Sequence, residues 1–158
     1  KLNRCSSLGV VLALLTATVA WGQFRGFQAA TVAPPASLPL EAGKTAEGSL
    51  VVRIRPGYHI NSNKPAEKYL IPTKLTWNTA GLESEVTYPE SELFVSQFSE
   101  EAMLVFSGEI ELTTHFKAPA KLPAGLTEIS GTLRYQACTD KACLAPMSLD
   151  VTIPLRSK

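Results

Sequence analysis

The chain has 158 residues, 45% of them apolar and 18% charged, and a formal net charge of +1. That length fits one domain, and the near-neutral charge excludes both a nucleic-acid binder with a basic patch and a partner for anionic membrane surfaces. The ten glycines and eleven prolines fall at element boundaries, without a repeat period or a low-complexity run beyond a short Ala/Pro-rich patch, so repeat and disordered classes are excluded as well.

The chain opens on the basic residues Lys1 and Arg4, and Leu8 to Ala20 is an uninterrupted apolar run. A bilayer-spanning helix needs ~20 apolar residues, so this run has the length of a secretory signal core. Residues 1–23 therefore read as a cleaved signal peptide, with Ala20 and Gly22 as the small residues before the cut; an uncleaved membrane anchor is the alternative. Cleavage removes Cys5 and leaves two cysteines, Cys138 and Cys143, in a periplasmic protein, where an even count implies a pair.

Residues 24–36, with Ala33-Pro34-Pro35-Ala36, are rich in breakers and read as a linker leading into a domain over 37–158. From Gly48 a strand alternates, with Leu50, Val52 and Ile54 on one face and Ser49, Val51 and Arg53 on the other, and it stops at Pro56-Gly57. Tyr58-His59-Ile60-Asn61 resumes it briefly. Further strands are expected over Tyr69–Trp77, where Pro72 bends the first half, and over Leu82–Tyr88. The longest run, Met103–Phe116, contains Gly108, which marks either a bulge or a crossing between sheets. Ile129, Gly131, Leu133, Tyr135 and Ala137 then alternate with polar residues, and the last strand turns Leu149, Val151 and Ile153 inward.

Seven or eight short strands without a helical period outside the leader predict an all-β fold, an immunoglobulin-like antiparallel β-sandwich, with a β-barrel as the alternative. Strand order is not legible in one sequence.

Cys138 and Cys143 flank Thr139-Asp140-Lys141-Ala142 between two alternating segments, which brings their Cα atoms to roughly the 5–6 Å of a disulfide. So small a ring contributes only about 2 kcal/mol by the chain-entropy estimate. A hairpin-tip bond is also open to thiolate attack, so a working redox couple and a structural staple both remain in play. Two thiolates without a neighbouring histidine in sequence leave a zinc ion half-coordinated, which argues against a metal site. His59 and His115 are expected in surface or hydrogen-bonded structural roles.

Pro56-Gly57-Tyr58-His59-Ile60-Asn61-Ser62-Asn63, followed by Tyr135-Gln136-Ala137-Cys138-Thr139-Asp140-Lys141-Ala142-Cys143-Leu144-Ala145-Pro146 and by Val151-Thr152-Ile153-Pro154-Leu155, resembles the amino-terminal periplasmic domain of the DsbD thiol:disulfide interchange family over about residues 37–156. The resemblance implies an immunoglobulin-like domain that carries out thiol–disulfide exchange without a cofactor or metal. Its electron donor is a thioredoxin-like protein or a membrane thiol transporter, and its acceptors are exported disulfide-bearing proteins. In the resemblance Cys143 forms the mixed disulfide and Cys138 resolves it. A cap loop shields the pair through a phenylalanine, here Phe98 or, second, Phe94, and Glu90 and Glu92 correspond loosely to acidic residues beside that cap. Tyr58 and Tyr135 are candidate walls of the site, although strand tyrosines commonly pack in the core. Two departures stand out: four residues separate the cysteines where the best-known member has five, and the sequence ends at Lys158, so the electron supply is expected from a separate carrier. The competing function is a non-catalytic exported binding or assembly module with a structural disulfide.

Overall fold

The computed structural model describes residues 27–79, 81–95 and 101–156; the expected signal peptide, with Cys5, lies outside them. Among the described residues there are twelve strands and no helix: β1 (Ala30–Ala33), β2 (Leu38–Pro39), β3 (Thr45–Ile54), β4 (His59–Asn61), β5 (Lys74–Asn78), β6 (Glu83–Thr87), β7 (Glu92–Phe94), β8 (Met103–Phe106), β9 (Glu109–Lys117), β10 (Glu128–Tyr135), β11 (Ala137–Cys138) and β12 (Met147–Arg156). They form an immunoglobulin-like antiparallel sandwich of three four-stranded sheets, ordered β1-β3-β9-β6, β2-β12-β10-β5 and β11-β4-β8-β7. One short pair, β12 with β2, runs parallel.

The alternation of the long strands sets the two main layers. Leu50 and Val52 on β3, Leu112 and Phe116 on β9, Ile129 and Leu133 on β10, and Val151 and Ile153 on β12 are all buried in one apolar cluster. Burying the inward face of each strand against the opposite sheet is the main stabilising term for such a fold. Trp77 on β5 meets Phe116 on β9 edge to face at 5.2 Å between ring centroids. Its Nε1 donates to the buried Thr114 Oγ1 at 3.0 Å, so the one polar atom of the indole is satisfied across the layers.

Sequence breaks turn the long strands into the third sheet. Tyr58 N donates to Arg55 O at 3.1 Å across Pro56-Gly57, with Gly57 at φ +80°, the combination of proline and positive-φ glycine that a type II turn requires. This turn separates β3 from β4. Gly108, at φ +64°, separates β8 from β9 and therefore marks a crossing between sheets. Gln136 separates β10 from β11. The third sheet thus takes β4 and β8 from the chain of one main layer and β11 from the other, joining the layers at one end.

The stretch expected as a linker contains β1, which pairs with β3 from Ala30↔Ile54 to Ala33↔Val51, so the folded unit begins earlier than residue 37. Alanine's weak strand preference hid it: Ala29 and Ala30 are fully buried, but through smallness and not through an apolar alternation.

Gly131 on β10 is fixed by packing. A Cβ there lies 2.5 Å from Trp77 Cε3 and 2.9 Å from the Thr76 carbonyl oxygen, and backbone does not give way as a flexible side chain does. Gly131→Ala is therefore expected to cost about 1–3 kcal/mol, measured as a lower urea midpoint; an unchanged midpoint contradicts the packing described.

Candidate functional site

Two of the three fragments singled out in the sequence, the one around His59 and the one around Cys138, come together in the third sheet. β11 pairs with β4 through Ala137↔Ile60 and Cys138↔His59, so residues 77 and 79 positions apart are cross-strand neighbours. The alternation that sends Ile60 and Ala137 into the core sends His59, Asn61, Gln136 and Cys138 to the opposite face of the pair.

Cys138 and Cys143 are disulfide-bonded and form an isolated antiparallel bridge with Cα atoms 3.9 Å apart. Two hydrogen bonds flank the bridge, Thr139 N to Ala142 O at 2.9 Å and Leu144 N to Ala137 O at 2.8 Å. The cysteines are therefore a non-hydrogen-bonded pair, the closer of the two antiparallel kinds, which explains why the separation is shorter than the 5–6 Å expected from loop length. Thr139 Oγ1 accepts from Lys141 N and Ala142 N, both at 3.2 Å, and so fixes the loop from within.

The two cysteines are not equally buried. Cys138 is fully buried, at 0% exposure, and Cys143 is half-buried. The expectation of an exposed hairpin-tip bond is corrected accordingly: one end of the bond is fully buried and the other half-buried.

Gln136, the residue between β10 and β11, connects the segments around the cysteine loop. Its Oε1 accepts from Ile71 N and Asn61 Nδ2, each at 3.3 Å, while its Nε2 donates to Leu144 O at 3.1 Å. Asn61 Nδ2 also donates to Ile71 O at 3.0 Å. Gln136 thus ties the segment after Cys143 to β4 and to the loop before β5.

A cleft of about 570 Å³ opens beside the cysteine loop, lined by Arg55, Tyr58, His59, Phe94, Ser107 and Asp140 among others. Tyr58 is half-buried on its wall, against Phe27 at 5.3 Å between ring centroids. Tyr135 does not line it. Its side chain is in the core, where the hydroxyl accepts from Ala30 N at 3.3 Å and burial pushes the pKa up. Phe94, on edge strand β7, turns inward and its ring centroid lies 4.0 Å from that of His59, while its neighbours Leu93 and Val95 are 75% and 70% exposed. Phe98 lies outside the described residues, and Glu90 and Glu92 are exposed. Among the described residues no cluster of His, Cys, Asp and Glu is disposed to hold a metal ion.

His59 corrects the expectation of a surface or hydrogen-bonded histidine. It is 3% exposed, it faces Cys138, and its Nε2 has no hydrogen-bond partner. The sequence signal was its place in the short alternation with Ile60, but only strand pairing shows what it faces. Burial holds its pKa below the ordinary 6.5. The unfolded chain therefore protonates first on acidification, so this group leaves stability intact above pH 6.5 and lowers it as pH falls below that value. Urea midpoints are expected to drop between pH 7.5 and 5, and His59→Phe to flatten that drop; equal slopes contradict the burial of a neutral imidazole.

Fold and site together define an all-β domain, a sandwich carrying one asymmetrically buried disulfide at its end. The model of the family described as "Thiol:disulfide interchange protein DsbD, N-terminal" matches residues 27–154, and the chain belongs to this family. The structure is similar to the crystal structure of the N-terminal periplasmic domain of ScsB from Proteus mirabilis, with a TM-score of 0.63 at 13% identity over 85% of this chain and 49% of that one. It also matches the DsbD N-terminal domain of Neisseria meningitidis in the reduced form, with a TM-score of 0.48 at 18% identity over 75% of this chain and 85% of that one. The chain thus spans about half the length of the ScsB chain it matches. No curated protein sequence gives a significant match.

Proposed function

We propose that the domain works in the periplasm as a thiol–disulfide exchange carrier, taking two electrons from a thioredoxin-like or membrane thiol donor and passing them to exported disulfide-bearing proteins. The observation that carries this reading is the unequal burial of a bonded cysteine pair whose loop borders a cleft through Asp140, in a chain of the DsbD N-terminal family. The reduced Cys143 thiolate attacks one sulfur of the partner disulfide, and the other partner sulfur leaves as a thiolate. Cys138 then attacks Cys143 Sγ, which releases the partner's second thiolate and restores the Cys138–Cys143 bond. The partner gains two electrons and takes up two protons, and a donor dithiol returns the pair to the reduced state by the reverse sequence.

Phe94 and edge strand β7 act as the movable cover in this reading, since Phe94 packs on His59 directly across from Cys138. The test is direct reduction. The oxidised chain is mixed with one equivalent of a reduced thioredoxin-like protein and free thiols are counted by alkylation; transfer to both cysteines within minutes is expected, and a pair left oxidised overturns the function.

A further inference from the structure

Among the described residues, two buried side-chain polar atoms have no hydrogen-bond partner, His59 Nε2 and Asn61 Oδ1, and both belong to β4, the strand paired with the cysteine strand. A buried polar atom without a partner costs about 1–3 kcal/mol, so its persistence calls for a state in which it is used. Asn61 is already held through its Nδ2 by Ile71 and Gln136, and an amide oxygen does not take up a proton. His59 is different, because a neutral imidazole nitrogen is a proton acceptor.

We propose that His59 Nε2 accepts the proton of the Cys138 thiol when Cys138 resolves the mixed disulfide on Cys143. Directly opposed residues on antiparallel strands have Cβ atoms about 4.5–5.5 Å apart on one face, a gap that an imidazole and a thiol close between them. In the oxidised state Cys138 Sγ is bonded to Cys143 Sγ and carries no proton, so Nε2 has nothing to receive. Reduction or mixed-disulfide formation frees Cys138 as a thiol at a position that is fully buried in the bonded state. Burial raises a thiol's pKa, so without a local base the resolving thiolate is scarce. Burial also keeps the imidazole neutral near pH 7. The charged groups on the same cleft are Arg55 and Asp140, both exposed, with the half-buried Tyr58 as the third titratable side chain, whereas His59 is buried.

The step is balanced. The proton moves from Cys138 Sγ to His59 Nε2, the Cys138–Cys143 bond forms, the Cys143–partner bond breaks, and the leaving partner thiolate is protonated by the imidazolium or by water. The cysteine pair is oxidised by two electrons and the partner disulfide is reduced by two.

This inference rests on the exchange reading of the pair, and a two-phase assay separates them. The reduced protein is mixed with one equivalent of dithiobis(nitrobenzoate), whose first thiolate release reports attack by Cys143 and whose second reports resolution by Cys138. The wild type is expected to show both phases, with a second-phase rate that falls as pH drops through an inflection below 6.5. In His59→Phe and His59→Gln the second phase is expected to slow relative to the first by on the order of 100-fold at pH 7 and to lose that inflection. A wild-type second phase without the inflection overturns the inference even if neither variant folds. Unchanged second phases in the variants, or both phases slowed alike, overturn it too and leave exchange intact. A wild type that never releases the second thiolate overturns the exchange reading and this inference with it.

Discussion

Replacing Cys143 by serine is expected to reduce exchange with a partner disulfide to below about a thousandth of the wild-type rate, because in the proposed exchange it removes the attacking sulfur, that of the less buried cysteine. Cys138 is not expected to substitute for it, being fully buried. The reciprocal variant, Cys138→Ser, keeps the accessible thiol and loses the resolving one, so it is expected to accumulate the mixed disulfide, visible as a covalent adduct on a non-reducing gel. An adduct that forms on Cys143→Ser instead reverses the assigned roles. Both variants should keep the wild-type circular dichroism, since neither cysteine belongs to the central layers.

The second large effect is on stability, and it separates a redox pair from a staple. Phe116→Ala removes a fully buried ring from the contact between the main layers, where it meets Trp77, and is expected to cost about 3–5 kcal/mol. Against a total of about 5–15 kcal/mol, that is enough to unfold a large share of the molecules near their working temperature. Cys138→Ala with Cys143→Ala opens a ring whose ends are only five positions apart and is expected to cost only about 2 kcal/mol. Paired urea titrations measure both. If the double cysteine variant is the less stable of the two, the disulfide is holding the fold and the structural reading gains.

Alternation along single strands was legible in the sequence because each strand has one dry face: Leu50, Val52 and Ile54 on β3, and Leu149, Val151 and Ile153 on β12, are buried as their spacing requires. The break at Gly108 was legible as well, though its meaning came only with the topology, which assigns β8 and β9 to different sheets. Pairing between distant strands was not legible, because no local pattern records which strand lies beside which. For that reason the cysteines were found from sequence while the residue opposite one of them, His59, was expected at the surface or in a structural hydrogen bond. Tyr135 shows the converse. Its place in the motif suggested a site wall, but it is the last inward residue of β10, and its hydroxyl finds Ala30 N inside the core. Gln136 was part of the quoted motif without a role; its three hydrogen bonds to Asn61, Ile71 and Leu144 give it one.

The reduction potential of the Cys138–Cys143 pair, measured by equilibration in glutathione or dithiol buffers with alkylation of free thiols, tests the exchange function most directly. A carrier between a thioredoxin-like donor and periplasmic disulfides is expected to have a midpoint in the range of about −270 to −180 mV, where both half-reactions run without a large barrier. A midpoint below about −300 mV, with the bond resisting the donor, is that of a structural disulfide and contradicts the exchange function.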